Sequence, residues 1–159
     1  MLSEAPQKHN FKKPHSKDFR KGRYSLNGGI YLVTFATKKR DLIFKDFNLA
    51  RVIVRCLNNS PYAETLAFVV MPNHVHWLIQ LRSNKSISQT VQATKTICTK
   101  SINMRIGGKG TIWQSGFHDH AVRHEGAIRE IARYIVANPI RAKLVKSVGK
   151  YPHWDAVWI

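Results

Sequence analysis

One stretch constrains this chain more than any other: Phe68-Val69-Val70-Met71-Pro72-Asn73-His74-Val75-His76-Trp77-Leu78-Ile79-Gln80. Two apolar runs flank Pro72-Asn73, which reads as a strand, a tight turn and a second strand. Strand side chains alternate faces, so His74 and His76 share one face while Val75 and Trp77 share the other. The residues Val75, Trp77, Ile79 and Leu81 have the character of a core face. The histidine face therefore needs another explanation, and two imidazoles at i and i+2 can close on one metal ion.

Charge narrows the class of partner. Lys and Arg total 26 against 9 acids, a net +17, and no Asp or Glu occurs between Glu64 and Asp119. That acid-free window holds Arg82, Lys85, Lys95, Lys100, Arg105 and Lys109. Such a surface gathers phosphates and displaces condensed counterions, which points to nucleic acid. A basic protein solvated on all sides would explain solubility but not the window. No apolar run reaches membrane-spanning length and no apolar export signal is present, so a cytoplasmic protein with no membrane partner is expected. Cys56 and Cys98 lack metal-type spacing and read as buried, reduced packing.

The remaining chain sorts into alternating elements. Residues 1–27 form a basic arm, with seven Lys or Arg by Arg23 against Glu4 and Asp18, and residues 28–159 read as a single domain. Ile30 to Thr37 is a first strand. From Asp46 to Asn59 the stripe Phe47, Ala50, Val54, Leu57 predicts a helix. Glu64 to Met71 and His74 to Leu81 make the hairpin. Ser86 or Ser88 caps a helix running to about Asn103, with Ile87, Val91, Cys98 and Ile102 on one side and a polar remainder suited to lying along a nucleic-acid strand. A fourth strand from Ile112 to Arg123, interrupted near Gly116, precedes a helix from Glu125 to Asn138, which Pro139 ends or kinks. The order β-α-β-β-α-β predicts an α+β, ferredoxin-like sandwich with an added C-terminal helix, its helices on one sheet face and the other face open.

That last helix carries Tyr134 and Asn138, four residues apart and hence on one side. A core-facing Tyr134 beside Ile131 and Ile135 is the ordinary reading. Its pairing with an HxH strand suggests another: two imidazoles and a carboxamide oxygen hold a metal that polarises a scissile phosphate, while Tyr134 attacks it. Attack gives a phosphotyrosyl intermediate that can be reversed onto a new end. His118 and His120 repeat the pattern. They suit either a zinc site shared with His74 and His76 or contacts to DNA. Trp113 can stack on a base or fill the core.

Four blocks in this order resemble a known family: Tyr31-Leu32-Val33-Thr34-Phe35, Met71-Pro72-Asn73-His74-Val75-His76, Trp113-Gln114-Ser115-Gly116-Phe117-His118-Asp119-His120, and Tyr134-Ile135-Val136-Ala137-Asn138-Pro139-Ile140-Arg141-Ala142. They look like the single-tyrosine HUH transposases of the IS200-like kind, and among these the REP-associated tyrosine transposases. The resemblance runs from about Gly28 to Val145. It implies a ferredoxin-like fold, dependence on Mg²⁺ or Mn²⁺, and cleavage and rejoining of single-stranded DNA at hairpins of repetitive extragenic palindromes through a 5′-phosphotyrosine. It assigns His74 and His76 as metal ligands, Asn138 as the third, and Tyr134 as nucleophile. Lys143 departs from the pattern, standing where the family commonly has glycine. The DNA-contact candidates are Lys85, Lys95, Lys100, Arg105, Lys109, Trp113, His118, His120, Arg123 and Arg141, in a monomer or homodimer. The competing reading is a basic ferredoxin-like module that holds single-stranded DNA or RNA without cutting it, which predicts exposed aromatic residues on the central strands.

Overall fold

The computed structural model describes residues 28–82 and 84–157, so the basic arm expected over residues 1–27 lies outside them. The elements are β1 (Ile30–Ala36), α1 (Phe47–Asn58), β2 (Ala63–Met71), β3 (His74–Leu81), α2 (Ile87–Ile106), β4 (His118–Val122), α3 (Glu125–Val136), α4 (Asn138–Arg141) and β5 (Trp154–Ala156). The five strands form one antiparallel sheet in the order β4-β1-β3-β2-β5. The expected α+β, ferredoxin-like architecture is borne out, with β5 added at one edge.

The hairpin sits near the centre of the sheet, with Met71 opposite His74 across the Pro72-Asn73 turn. Both turn carbonyls are captured. The Thr37 amide and hydroxyl donate to Asn73 O at 3.0 and 3.1 Å, and the Phe44 amide donates to Pro72 O at 3.0 Å. Thr37 is wholly buried, and its hydroxyl also lies 2.7 Å from Asp41 O. One side chain thus ties the Lys38-Lys39-Arg40 loop to the turn that launches His74.

One sheet face is packed by α1 and α2. Val33, Phe35, Phe68, Val70, Val75, Trp77 and Ile79 meet Ala50, Ile53, Leu57, Val91, Cys98 and Ile102 in a single cluster. Burying each large side chain contributes on the order of 1.5–3 kcal/mol. The Trp77 indole N–H is satisfied at 2.9 Å by the Thr65 hydroxyl, which donates in turn to Leu57 O. Asp46 caps α1 by accepting from the Leu49 amide, and Ser86 with Gln89 forms a capping box on α2. Phe47 does not join the stripe. It is exposed and stacks 5.1 Å from His153.

The other face corrects the expectation of an open surface. Here α3 lies across the sheet, and Ile128, Ile131, Ala132 and Ile135 pack on Leu66, Ala67, Val69, Met71 and Leu78 together with Tyr151. The fourth strand is broken as anticipated. Trp113 bridges Thr37, Gly116 turns with φ +78°, and β4 then runs beside β1. Among the described residues no helix is long and apolar enough to cross a membrane.

Candidate nucleic-acid cleavage site

Register alone assembles the site. His74 pairs with Ala36, His76 with Thr34, and Thr34 also pairs with His118 on its other side. Directly opposed residues share a face, so His76, Thr34 and His118 form a row across three strands. His120 lies in the next row with Leu32 and Leu78. This is the face that α3 partly covers, because Leu78 belongs to the α3 cluster.

The two imidazoles stand edge to face, with centroids 4.9 Å apart. Each is held from its Nδ1 side, His74 by the Asn73 Oδ1 at 2.7 Å and His76 by the Thr34 Oγ1 at 2.9 Å. A carboxamide oxygen only accepts, so His74 carries its proton on Nδ1 and keeps a lone pair on Nε2. Burial, reinforced by the Arg40 charge, lowers the His74 pKa. Burial, then the neighbouring His74 and Arg141, push His76 down to about 3. Both rings are therefore neutral, the form that donates to a metal. Oriented rings with a partner on the far nitrogen are what an imidazole metal site requires. No third His, Cys, Asp or Glu joins them among the described residues. The residues present fit a divalent cation that accepts imidazole nitrogen and completes its shell elsewhere.

Tyr134 does not face the core. Ile131, Ala132, Ile135 and Val136 take that side of α3, and Tyr134 stands 49% exposed. The Arg141 guanidinium lies 3.8 Å from its ring centroid and donates from Nη2 to the Tyr134 carbonyl. The Arg141 charge is felt at His76, and α3 packs on the sheet face that carries the histidines. The helix breaks after Val136. Asn138 opens α4, is half-buried and donates its Nδ2 to Ile135 O at 3.1 Å, leaving Oδ1 as the acceptor a ligand needs.

The remaining candidates divide. His118, His120 and Arg123 are exposed on or just after β4, on the sheet edge beside β1. Lys85 is exposed with its amine 5.7 Å over the Tyr62 ring. Lys100 and Arg105 are exposed on α2 and Lys109 just beyond it, in the layer opposite the histidines. Two expectations are corrected. Lys95 is 6% exposed, and its Nζ donates to Gln114 O at 3.0 Å and Gly116 O at 2.9 Å, so it braces the β4 approach and offers DNA nothing. Trp113 is buried against Phe35 and Phe44 with its indole N–H on Lys95 O, so it cannot stack on a base. The zinc reading also fails, because β1 separates the two histidine pairs and no ligand cluster forms among the described residues.

Sequence reasoning missed Thr34, Asn73 and Arg40. Asn73 could have been found from its place next to His74. Thr34 needed the register, and Arg40 needed the loop, where Lys39 and Arg40 both take φ of 56°.

The family model for IS200-like transposases matches residues 25–138. A REP-associated tyrosine transposase of Escherichia coli K12 is 28% identical over 134 residues, spanning 82% of this chain and 78% of that protein. The structure of a REP-associated tyrosine transposase bound to a REP hairpin superposes with a TM-score of 0.65 at 26% identity, covering 84% of this chain and 79% of the other. The crystal structure of a protein assigned as a transposase from Deinococcus radiodurans R1 shares the fold, with a TM-score of 0.50 at 22% identity over 73% and 95% of the two chains.

Proposed function

The chain belongs to the IS200-like transposase family, and from that premise we propose that it cuts and rejoins single-stranded DNA beside REP-type hairpins through a 5′-phosphotyrosine on Tyr134. The observation that carries this reading is the placement of Tyr134, turned away from the core and stacked under an arginine whose charge reaches His76. In the step itself the Tyr134 oxygen gives up its proton and attacks phosphorus. The bond to the 3′ oxygen breaks, and that oxygen leaves as a free hydroxyl. Because one ester replaces another, the intermediate keeps the energy needed to join a new 3′ end.

His74 and His76 would hold Mg²⁺ or Mn²⁺ through Nε2, with Asn138 Oδ1 as third donor, and the cation would supply polarisation of the scissile phosphate. The protein's own groups do the positioning. Thr34 and Asn73 fix the two rings. Arg141 restrains the tyrosine ring and presents charge to the phosphate on which it acts. Arg40, whose charge is felt at His74, adds a second cation.

A module that only holds single strands would present aromatic platforms on its central strands. On the histidine face β1 and β3 present Ala36, Thr34, His74 and His76 instead. The test is Tyr134→Phe with a labelled hairpin oligonucleotide and Mg²⁺, resolved on a denaturing gel. Only one oxygen is lost, so the covalent protein–DNA band should vanish while hairpin affinity stays within about twofold. A covalent band that persists in the Phe variant would remove Tyr134 as the nucleophile.

A further inference from the structure

On the side of the sheet away from the histidines, α1 and α2 pack together and each brings one cysteine to the seam. Cys98 is fully buried in the core. Cys56 is half-buried and forms part of the wall of a surface cavity of about 290 Å³, lined with Val52, Arg55, Ser101, Met104 and Arg105. The Cys56 and Cys98 side chains neighbour each other across the seam, and Ser101 adjoins Cys56 on the cavity wall. Neither cysteine has a part in the chemistry proposed for Tyr134.

A buried cysteine in apolar surroundings is inert. Cys98 alone fits that description. Cys56 differs in three respects: it opens to a cavity, two arginines line that cavity, and a second thiol neighbours it. An attacking thiol with access and a resolving thiol at its back make the arrangement of a redox-active pair. Two thiols without a third ligand make a poor metal site, and no ligand cluster is found among the described residues.

We infer that Cys56 and Cys98 form a two-electron redox site, in which a peroxide entering the Arg55–Arg105 cavity oxidises Cys56 and Cys98 then closes a disulfide between α1 and α2. In the first step the Cys56 thiolate attacks one peroxide oxygen and the O–O bond breaks. Hydroxide leaves, takes a proton to become water, and Cys56 becomes a sulfenic acid. In the second step Cys98 loses its proton, its sulfur attacks the Cys56 sulfur, and the S–OH bond breaks to release a second water. Two thiols lose two electrons and hydrogen peroxide becomes two waters. The ionisation order suits these roles. The neighbouring Cys98 and Ser101 side chains lower the Cys56 pKa against the effect of its burial, whereas the neighbouring Cys56 and burial raise that of Cys98. Cys56 is thus the thiol that ionises first, and Cys98 the one that keeps its proton until it resolves the sulfenic acid.

The experiment treats the purified chain with hydrogen peroxide and reads intact mass and a non-reducing peptide map. Met104, 85% exposed at the same cavity, reports that peroxide has arrived. The expected result is loss of two hydrogens at the thiols and a map joining Cys56 to Cys98, reversed by dithiothreitol. In Cys98→Ser the sulfenic acid on Cys56 should accumulate and be trapped by dimedone, and in Cys56→Ser Cys98 should stay reduced. Two results would overturn the inference: both thiols still reduced once Met104 has become sulfoxide, or Cys56 proceeding to sulfinic acid in the unaltered chain without the cross-link. Cleavage of the hairpin plays no part in the readout, so the outcome is independent of the function proposed for Tyr134.

Discussion

Lys143 sits in the left-handed region with φ 59°, the conformation that favours glycine. A side chain there costs roughly 1–2 kcal/mol, while glycine would cost part of that back through the freedom it adds to the unfolded chain. Lys143→Gly should therefore stabilise by about 0.5–1 kcal/mol and Lys143→Ala should not, a difference that paired thermal melts resolve. The same scale shows what a sequence can and cannot disclose. The shared face of His74 and His76 follows from a period of two and needs no tertiary information. The exposure of Tyr134 does not follow, because Ile131 and Ile135 leave room for either rotation of α3 until its partners on β2 are known. Thr34 was illegible for a related reason. A threonine in a strand becomes a histidine's partner only once β1 and β3 are in register, and a slip of one residue would turn it to the opposite face.

At the level of elements, α2 departed most from what its composition suggested. A helix without acids and rich in Thr and Gln reads as a surface for DNA, yet Thr90, Thr94 and Lys95 are buried. Burial lowers the Lys95 pKa, but two carbonyls hold its amine, and pattern alone does not distinguish a solvated lysine from a clamping one. Lys95→Met should cost about 1.5–3 kcal/mol by orphaning those carbonyls, measured by urea unfolding, with no change in the salt dependence of DNA binding. A shallower salt dependence would instead return Lys95 to the DNA surface. The three-residue β5 was equally hard to foresee, since a strand so short has no period. The segment leading into it brings His153 between Phe47 and Tyr151, with its Nδ1 buried and unpaired. Burial and the Arg51 charge lower its pKa below the ordinary 6.5. The folded chain then binds fewer protons than the unfolded one as acid is added, so this stability is present above the unfolded pKa and is lost as pH falls through the folded one. His153→Phe should narrow the gap in melting temperature between pH 7.5 and pH 5. His76, lowered in the same direction, will keep part of the slope.

For the whole molecule, the sheet separates two kinds of positive charge. Lys100, Arg105 and Lys109 belong to the helical layer away from the histidines, whereas Arg40 and Arg141 act on the histidines themselves. The second group bears on the metal. Its proposed ligands His74, His76 and Asn138 are all neutral, no carboxylate joins the histidines among the described residues, and two arginines add positive potential to the place where a dication should sit. Mg²⁺ prefers oxygen donors and usually relies on carboxylates or phosphates, so the free protein should hold it weakly. Imidazole suits Mn²⁺ better, which should raise affinity in that order. A DNA phosphate reverses the electrostatics, since it offsets both arginines and gives the cation the oxygens it lacks. Metal and hairpin should therefore bind with positive coupling, and by linkage each must tighten the other by the same factor, on the order of 5–150-fold. Calorimetry with Tyr134→Phe, which cannot cleave, can titrate Mn²⁺ into the free protein and into its hairpin complex. Equal Mn²⁺ affinities in the two titrations would mean that a carboxylate, Glu130 one helical turn before Tyr134 being the candidate on α3, already completes the shell, and the ligand set proposed for His74, His76 and Asn138 would have to be abandoned.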